Sequence, residues 1–179
     1  MDPSLKDLTA QIDDATSLLL STAARLTDDQ VRQPSLLPGW SRGHVLTHLA
    51  RGGDALRNLL DGVRTGTPRP AYASQEARAA DIEAGSGRTA AELTADLRES
   101  AAAWRAAVDA MPDDAWTEQV SIPGPKTIPA SQVVIRRLVE IELHHVDLDA
   151  GYRPSDWPTT FNQLELVEPM RGQRADRLV

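Results

Sequence analysis

The four histidines of this 179-residue chain fall in two pairs, His44 with His48 and His144 with His145. Glu140 stands four residues before His144, so on a helix the carboxylate and the imidazole project side by side. Arg136, Glu140, His144 and Asp147 step along one line at spacings of four, four and three. The segment around them is otherwise apolar: Val134, Ile135, Leu138, Val139, Ile141, Leu143, Val146 and Leu148. A carboxylate and an imidazole on such a helix are costly to bury unless something compensates them, and a metal is one compensation. His48 offers a third donor. Taking Val45 as the centre of an apolar stripe, His48 falls about 60° from it and His44 about 100°, which puts His48 on the inward flank and His44 at the edge. Two imidazoles and one carboxylate from two helices make a His2Glu set. On zinc that set leaves open positions, as catalytic zinc sites do; it is also the composition of the facial triad of non-haem iron enzymes. Taken singly, the same residues have plainer readings. His48 alone reads as a core histidine, Glu140 as a partner of Arg136 or Arg137, and His44 and His145 as surface or supporting residues. Asp147 and Asp149 read as the solvated end of a helix.

Other constellations are thin. Ser41 and Ser131 sit where helix N-caps belong. Gly85-Ser86-Gly87 lacks a Walker lysine and a preceding strand, so it does not predict a phosphate loop. The pairs Asp13-Asp14 and Asp28-Asp29 read as solvated faces or turns rather than calcium loops.

Four long helical segments must position the histidines. The first covers about 4–26, with Leu5, Leu8, Ile12, Ala15, Leu19 and Leu26 as its apolar stripe; Pro34 and Leu37-Pro38-Gly39-Trp40 follow it. The second covers 41–63, from Ser41, with Val45, Leu49, Gly52, Leu56, Leu59 and Val63 on one face and Gly52 admitting a close neighbour. The third covers 89–111, opened by a Thr89–Glu92 capping box and stopped by Pro112. The fourth covers 131–150, with Gly151 as its stop. Residues 64–88 form a long connection with a short helix near 74–83. Residues 112–129 are rich in Pro and Gly, with 116–122 extended, and a short helix is expected over 160–167. The expected organisation is all-α: one helical bundle over 1–168 with long inter-helix connections, and a flexible polar tail over 169–179.

Composition narrows the function classes. The net charge is −7 and the pI about 5.0, with no basic stripe, so nucleic acid and anionic membranes are poor partners. There is no cysteine, which excludes disulfides, thiolate metal sites and a cysteine nucleophile. Only seven residues are aromatic, too few for a base-stacking platform, and 25 alanines favour helix. Lys6 and Lys126 are the only lysines against 17 arginines, a bias typical of GC-rich genomes. No apolar signal segment or membrane span is visible, and the expectation is a soluble, cytoplasmic protein.

Two stretches carry a family resemblance. Leu37-Pro38-Gly39-Trp40-Ser41-Arg42-Gly43-His44-Val45-Leu46-Thr47-His48-Leu49-Ala50 resembles the first motif of the mycothiol-dependent maleylpyruvate isomerase family. Glu140-Ile141-Glu142-Leu143-His144-His145-Val146-Asp147-Leu148, followed by Gly151-Tyr152, resembles its second. The resemblance spans roughly 5–161. It implies a DinB-like four-helix bundle and a divalent metal, zinc above all, held by His48, Glu140 and His144, the three residues that the spacing also singles out. It further implies mycothiol, the low-molecular-weight thiol of actinobacteria, as co-substrate. Two-domain members of the family place an arginine from a smaller C-terminal domain in the site. After the bundle this sequence offers Arg171, Arg174 and Arg177 in its place.

The chemistry so implied is activation of the thiol on the metal. The activated thiol serves cis–trans isomerisation of a maleylpyruvate-like acid, or S-transfer to an electrophile in detoxification or natural-product biosynthesis. Both need a cation for the substrate carboxylate, for which Arg42, Arg51, Arg136 and Arg137 are candidates; Arg137, one turn before Glu140, can instead orient that ligand. A metal-dependent hydrolase is the rival enzyme, with His145 or Glu142 as its spare base. A non-catalytic module that binds a metal or a partner is the rival outside enzymology. The partner expected is a small electrophile or unsaturated acid, and a homodimer is compatible with the sequence.

Overall fold

The computed structural model describes residues 4–122 and 126–178. Residues 1–3 of the expected 1–168 unit, 123–125 in the Pro- and Gly-rich stretch, and Val179 of the expected tail lie outside the described residues.

Local chemistry accounts for most of the helix starts. Ser4 and Asp7 close a capping box at the head of α1 (Leu5–Ala23), whose Leu8, Ile12, Ala15 and Leu19 are buried. A second box, Thr27 with Gln30, launches a separate one-turn helix, α2 (Asp28–Arg32). It is this new start that ends α1 at Ala23, short of Leu26. Ser41 and His44 cap α3 (Arg42–Thr65), which stops at Gly66 in the left-handed conformation (φ 65°). Ser74 caps α4 (Gln75–Ser86) and a Thr89–Glu92 box caps α5 (Ala90–Asp109). After a 3-10 turn, β1 (Gln119–Ile122) and β2 (Lys126–Pro129) form an antiparallel hairpin, with Val120 opposite Ile128. α6 (Ser131–Asp147) then carries the second histidine pair. Ser131 is its first residue rather than its cap; Ala130 takes that place and no side chain caps the helix. Short helices α7 (Thr159–Asn162) and α8 (Met170–Ala175) complete the chain.

The architecture is an all-α, DinB-like bundle of α1, α3, α5 and α6. α3 packs on α5 and α6, and α1 packs on the same two, so the four close a ring. α4 lies along α3, and the hairpin rests on α3 and α6. Leu19, Leu46, Leu49, Leu60, Leu93, Leu97, Trp104, Leu138 and Ile141 form the centre of the core. Among the described residues no helix is long and apolar enough to cross a membrane.

Three local expectations are corrected. Gly52 admits no close neighbour: a Cβ there would meet nothing within 4 Å. The closest approaches on α3 fall instead at Gly43, where a Cβ would collide with the Ser86 backbone carbonyl of α4, and at Gly53, against Ser100 Oγ at 2.6 Å. Helix α6 ends at Asp147, and Asp147 is not solvated but 3% exposed, because His144 and Arg177 both donate to its carboxylate. The segment expected to fray after Pro169 is helical in part and docked. Met170 is buried, Arg174 donates to the Phe161 carbonyl at 2.6 Å, and Arg177 reaches Asp147. Arginines that look solvated in sequence find buried acceptors here, which is what holds a polar tail down.

Candidate metal centre

α3 and α6 are adjacent in the ring, and each contributes one face to a shared polar spot. His48 Nε2 lies 3.0 Å from Glu140 Oε2 and 3.0 Å from His144 Nε2; His144 Nε2 lies 3.3 Å from Glu140 Oε2. The structure thus brings together the three residues that sequence spacing proposed. Of the three, His48 lies against Trp40, whose indole sits edge-on to it at 5.5 Å.

The triangle fits a divalent cation. Four ligands at 2.0–2.1 Å around tetrahedral zinc stand about 3.4 Å apart, close to the three separations observed. Protons alone satisfy the cluster poorly: two ring nitrogens and one carboxylate converge, and a neutral His48 has one N–H to share between two acceptors. Burial opposes charge on His48 and lowers its pKa, with Glu140 offsetting only part of this. Burial opposes protonation of His144 too, but its hydrogen bonds to Asp147 and Glu140 outweigh that and raise its pKa to about 9. Glu140 is pushed up by burial and pulled down harder by its bonds with His144 and His48, so its carboxyl stays well below the usual range. The site therefore attracts positive charge, which a divalent cation supplies.

His144 Nδ1 donates to Asp147 Oδ2 at 2.8 Å, fixing the ring so that Nε2 faces the triangle. Asp147 is in turn held by both ends of the Arg177 guanidinium, Nε at 3.0 Å and Nη2 at 2.6 Å. The carboxylate resists its own burial through these bonds, and its pKa is lowered. His48 Nδ1 faces Arg78 Nη2 at 3.1 Å. Neither Asp147 nor Arg78 was assigned a role by sequence. Asp147 shows a signal, lying three residues after His144 on the same helical line. Arg78 lies on the inward face of α4, one turn before the buried Ile82, a four-residue spacing that the sequence contains.

A cavity of about 610 Å³ opens on Glu140. Gly52, Ala55, Leu56 and Leu59 of α3 give it an apolar wall, and Arg78, Lys126 and Arg136 bring three cations to it. Its size and mixed lining suit a small-molecule ligand. A second cavity of similar size, about 660 Å³, lies between the end of α3, residues 66–70 and the hairpin; it contains none of the three ligand-type residues.

Of the arginines considered as carboxylate anchors, Arg136 alone lines this cavity. Arg42 ties the start of α3 to the end of α6 through the Leu148 and Asp149 carbonyls. Arg51 pairs with Asp54 and Asp96. Arg137 is 1% exposed, donates to the Leu49 carbonyl, and is lowered by burial to about 10. His145 and Glu142 point to the other side of α6. His145 bonds Thr22 at 2.9 Å and stacks on Tyr152, whose hydroxyl donates to Glu142 at 2.6 Å. His44 caps α3 and pairs with Glu83. Arg171 pairs with Glu168.

Residues 12–149 match the family described as the mycothiol maleylpyruvate isomerase N-terminal domain. The chain belongs to this family. In structure it is similar to the crystal structure of the mycothiol-dependent maleylpyruvate isomerase, with TM-score 0.85 and 30% identity over 89% of this chain and 66% of that one. A histidine-to-alanine mutant of that enzyme gives the same figures. The chain thus spans just under two thirds of that enzyme's length. An uncharacterized protein from Clostridium difficile 630 shares the fold at TM-score 0.67 and 7% identity, covering 83% of this chain and 95% of that one. None of the curated proteins compared matches the sequence.

Proposed function

We propose that the protein is a metal-dependent enzyme that uses mycothiol to isomerise a maleylpyruvate-like unsaturated acid, with thiol S-transfer to an electrophile as the runner-up activity. The observation that carries this reading is the His48–Glu140–His144 triangle opening on a three-cation cavity in a member of this family. His48 Nε2, Glu140 and His144 Nε2 would hold the divalent cation, zinc by preference for such a donor set. A cation bound there lowers the pKa of a coordinated thiol, so that a thiolate is present at neutral pH.

The chain's own residues do the rest. Asp147 keeps the proton of His144 on Nδ1, leaving Nε2 free as a donor atom. Arg136 and its cationic neighbours neutralise the substrate carboxylate in the cavity. Leu56, Leu59 and Ala55 keep that end of the cavity apolar, which strengthens the charge–charge contacts made there. In isomerisation the thiol sulfur adds to the double bond, the carbon–carbon bond rotates while single, and the sulfur leaves, so the thiol is regenerated. In S-transfer the new carbon–sulfur bond remains. A hydrolase reading loses its base, since His145 and Glu142 lie away from the triangle.

The test is turnover of maleylpyruvate with and without mycothiol, followed by the absorbance of the trans acid, with adducts tracked by mass spectrometry. The reading expects turnover only with thiol present and no net thiol consumption. Stoichiometric thiol loss into an adduct selects transfer, and hydrolysis without thiol overturns both.

A further inference from the structure

Arg78 is a half-buried cation whose hydrogen bond in the structure suits one state of the site and not the other. Its Nη2 lies 3.1 Å from His48 Nδ1, its guanidinium carbon lies 5.6 Å from the Tyr72 ring centroid, and the side chain lines the cavity that Glu140 and Arg136 share. Among the described residues it makes no ion pair. A guanidinium only donates. His48 Nδ1 must therefore accept, which leaves the imidazole proton on Nε2, the atom that faces Glu140 and His144. That tautomer cannot coordinate through Nε2. If a cation sits in the triangle, Nε2 gives its lone pair and a neutral imidazole carries its proton on Nδ1. Two donors then face each other at hydrogen-bond distance, and the Arg78 positive charge stands on the same ring that binds the cation.

We propose that Arg78 is the mobile carboxylate anchor of the cavity: metal occupancy evicts its guanidinium from His48, and the freed group binds a carboxylate of the cavity ligand. The inference rests on the metal-centre reading and deepens it. It couples two events, since the cation that activates one reactant also releases the residue that holds the other. Within this cavity the guanidinium has little to reach besides the ligand; a smaller pocket that it also lines holds Asp54, already paired with Arg51, and Asp81. Tyr72 offers a ring and a hydroxyl, Glu140 is committed to the triangle, and the other acid lining the cavity, Glu168, is paired with Arg171. A bidentate Arg–carboxylate pair in a partly apolar cavity is the strong form of such a contact.

The test uses zinc and maleate as separate probes on the full chain, with no thiol present. Zinc affinity is measured by competition with a chromophoric chelator. Arg78→Leu is expected to bind zinc about tenfold more tightly than the wild type, because the opposing donor and its charge are gone. A merely damaged site would bind zinc more weakly, which would overturn the proposal. Maleate binding to the zinc-loaded proteins is then measured calorimetrically. Arg78→Leu is expected to lose about tenfold or more in maleate affinity, and Arg78→Lys to recover part of it through the charge. Unchanged zinc and maleate affinities in Arg78→Leu, or a zinc-loaded crystal structure with Arg78 still on His48 Nδ1, overturn this inference alone. A wild type that binds no divalent metal overturns the metal-centre reading together with it.

Discussion

At the scale of single residues, His144 is positioned by a relay. Arg177 holds Asp147 at both oxygens, and Asp147 holds the His144 Nδ1 proton. Asp147→Asn keeps the shape but not the charge. We predict a loss of about 10–100-fold in zinc affinity, read by chelator competition, with the helical content by circular dichroism unchanged. Unaltered affinity would show that the carboxylate does nothing for the ligand. His145 makes the opposite case, a histidine kept neutral: burial, with Arg25 nearby, lowers its pKa to about 4 from an unfolded value near 6.5. Its folded pKa is depressed, so the unfolded chain binds more protons between these values. The stability it contributes is present above pH 6.5 and drains away as pH falls towards 4. Between pH 7 and 5 the wild type should lose about 2 kcal/mol more than His145→Gln in urea unfolding; equal losses would contradict the assignment. The ligand trio was legible because helical spacing and residue type together restrict the choices. Asp147 was misread because its burial depends on Arg177, thirty residues away, and no local pattern encodes that approach.

At the scale of elements, glycine placement on α3 decides which neighbours come close. Gly43 lets α4 lie against α3, and α4 carries Arg78; Gly53 gives room to Ser100 and the buried Arg137 guanidinium. Gly52, one residue away, faces the cavity instead. Two alanine substitutions should therefore diverge. Gly43→Ala drives a methyl into the Ser86 carbonyl and is predicted to destabilise by about 1–3 kcal/mol. Gly52→Ala meets no atom and is predicted to stabilise by up to about 1 kcal/mol through helix propensity. Thermal unfolding of the two variants checks the pair, and the reverse order would show that α4 packs differently. The long helices were readable from their capping boxes and apolar periods. The weaker elements were not: α2 is five residues, the hairpin strands four each, and α8 six, too short for a periodic signal. Their order comes from docking onto the bundle, as Met170 and Arg174 show for α8.

At the scale of the molecule, a chain of net charge −7 gathers Arg78, Arg136 and Lys126 at a cavity that opens on Glu140. The placement sets a local positive field in an acidic protein and suits an anionic ligand beside a cation-binding triangle. The absence of cysteine gains meaning in this setting: the proposed chemistry takes its sulfur from a co-substrate, and the protein supplies the donor atoms and the carboxylate anchors. Sequence gave the class of the bundle because four apolar stripes of similar length have few ways to bury themselves, whereas the cavity depends on where the 64–88 connection and the hairpin fold back. The proposed chemistry depends on metal binding by residues from α3 and α6, and its most direct measurement is the metal content of the purified protein by elemental analysis. We predict about one divalent cation per chain in the wild type and its loss in both His48→Ala and Glu140→Ala, each still folded by circular dichroism. Full metal content in both variants, or a folded wild type that takes up none from zinc-supplemented buffer, would contradict it.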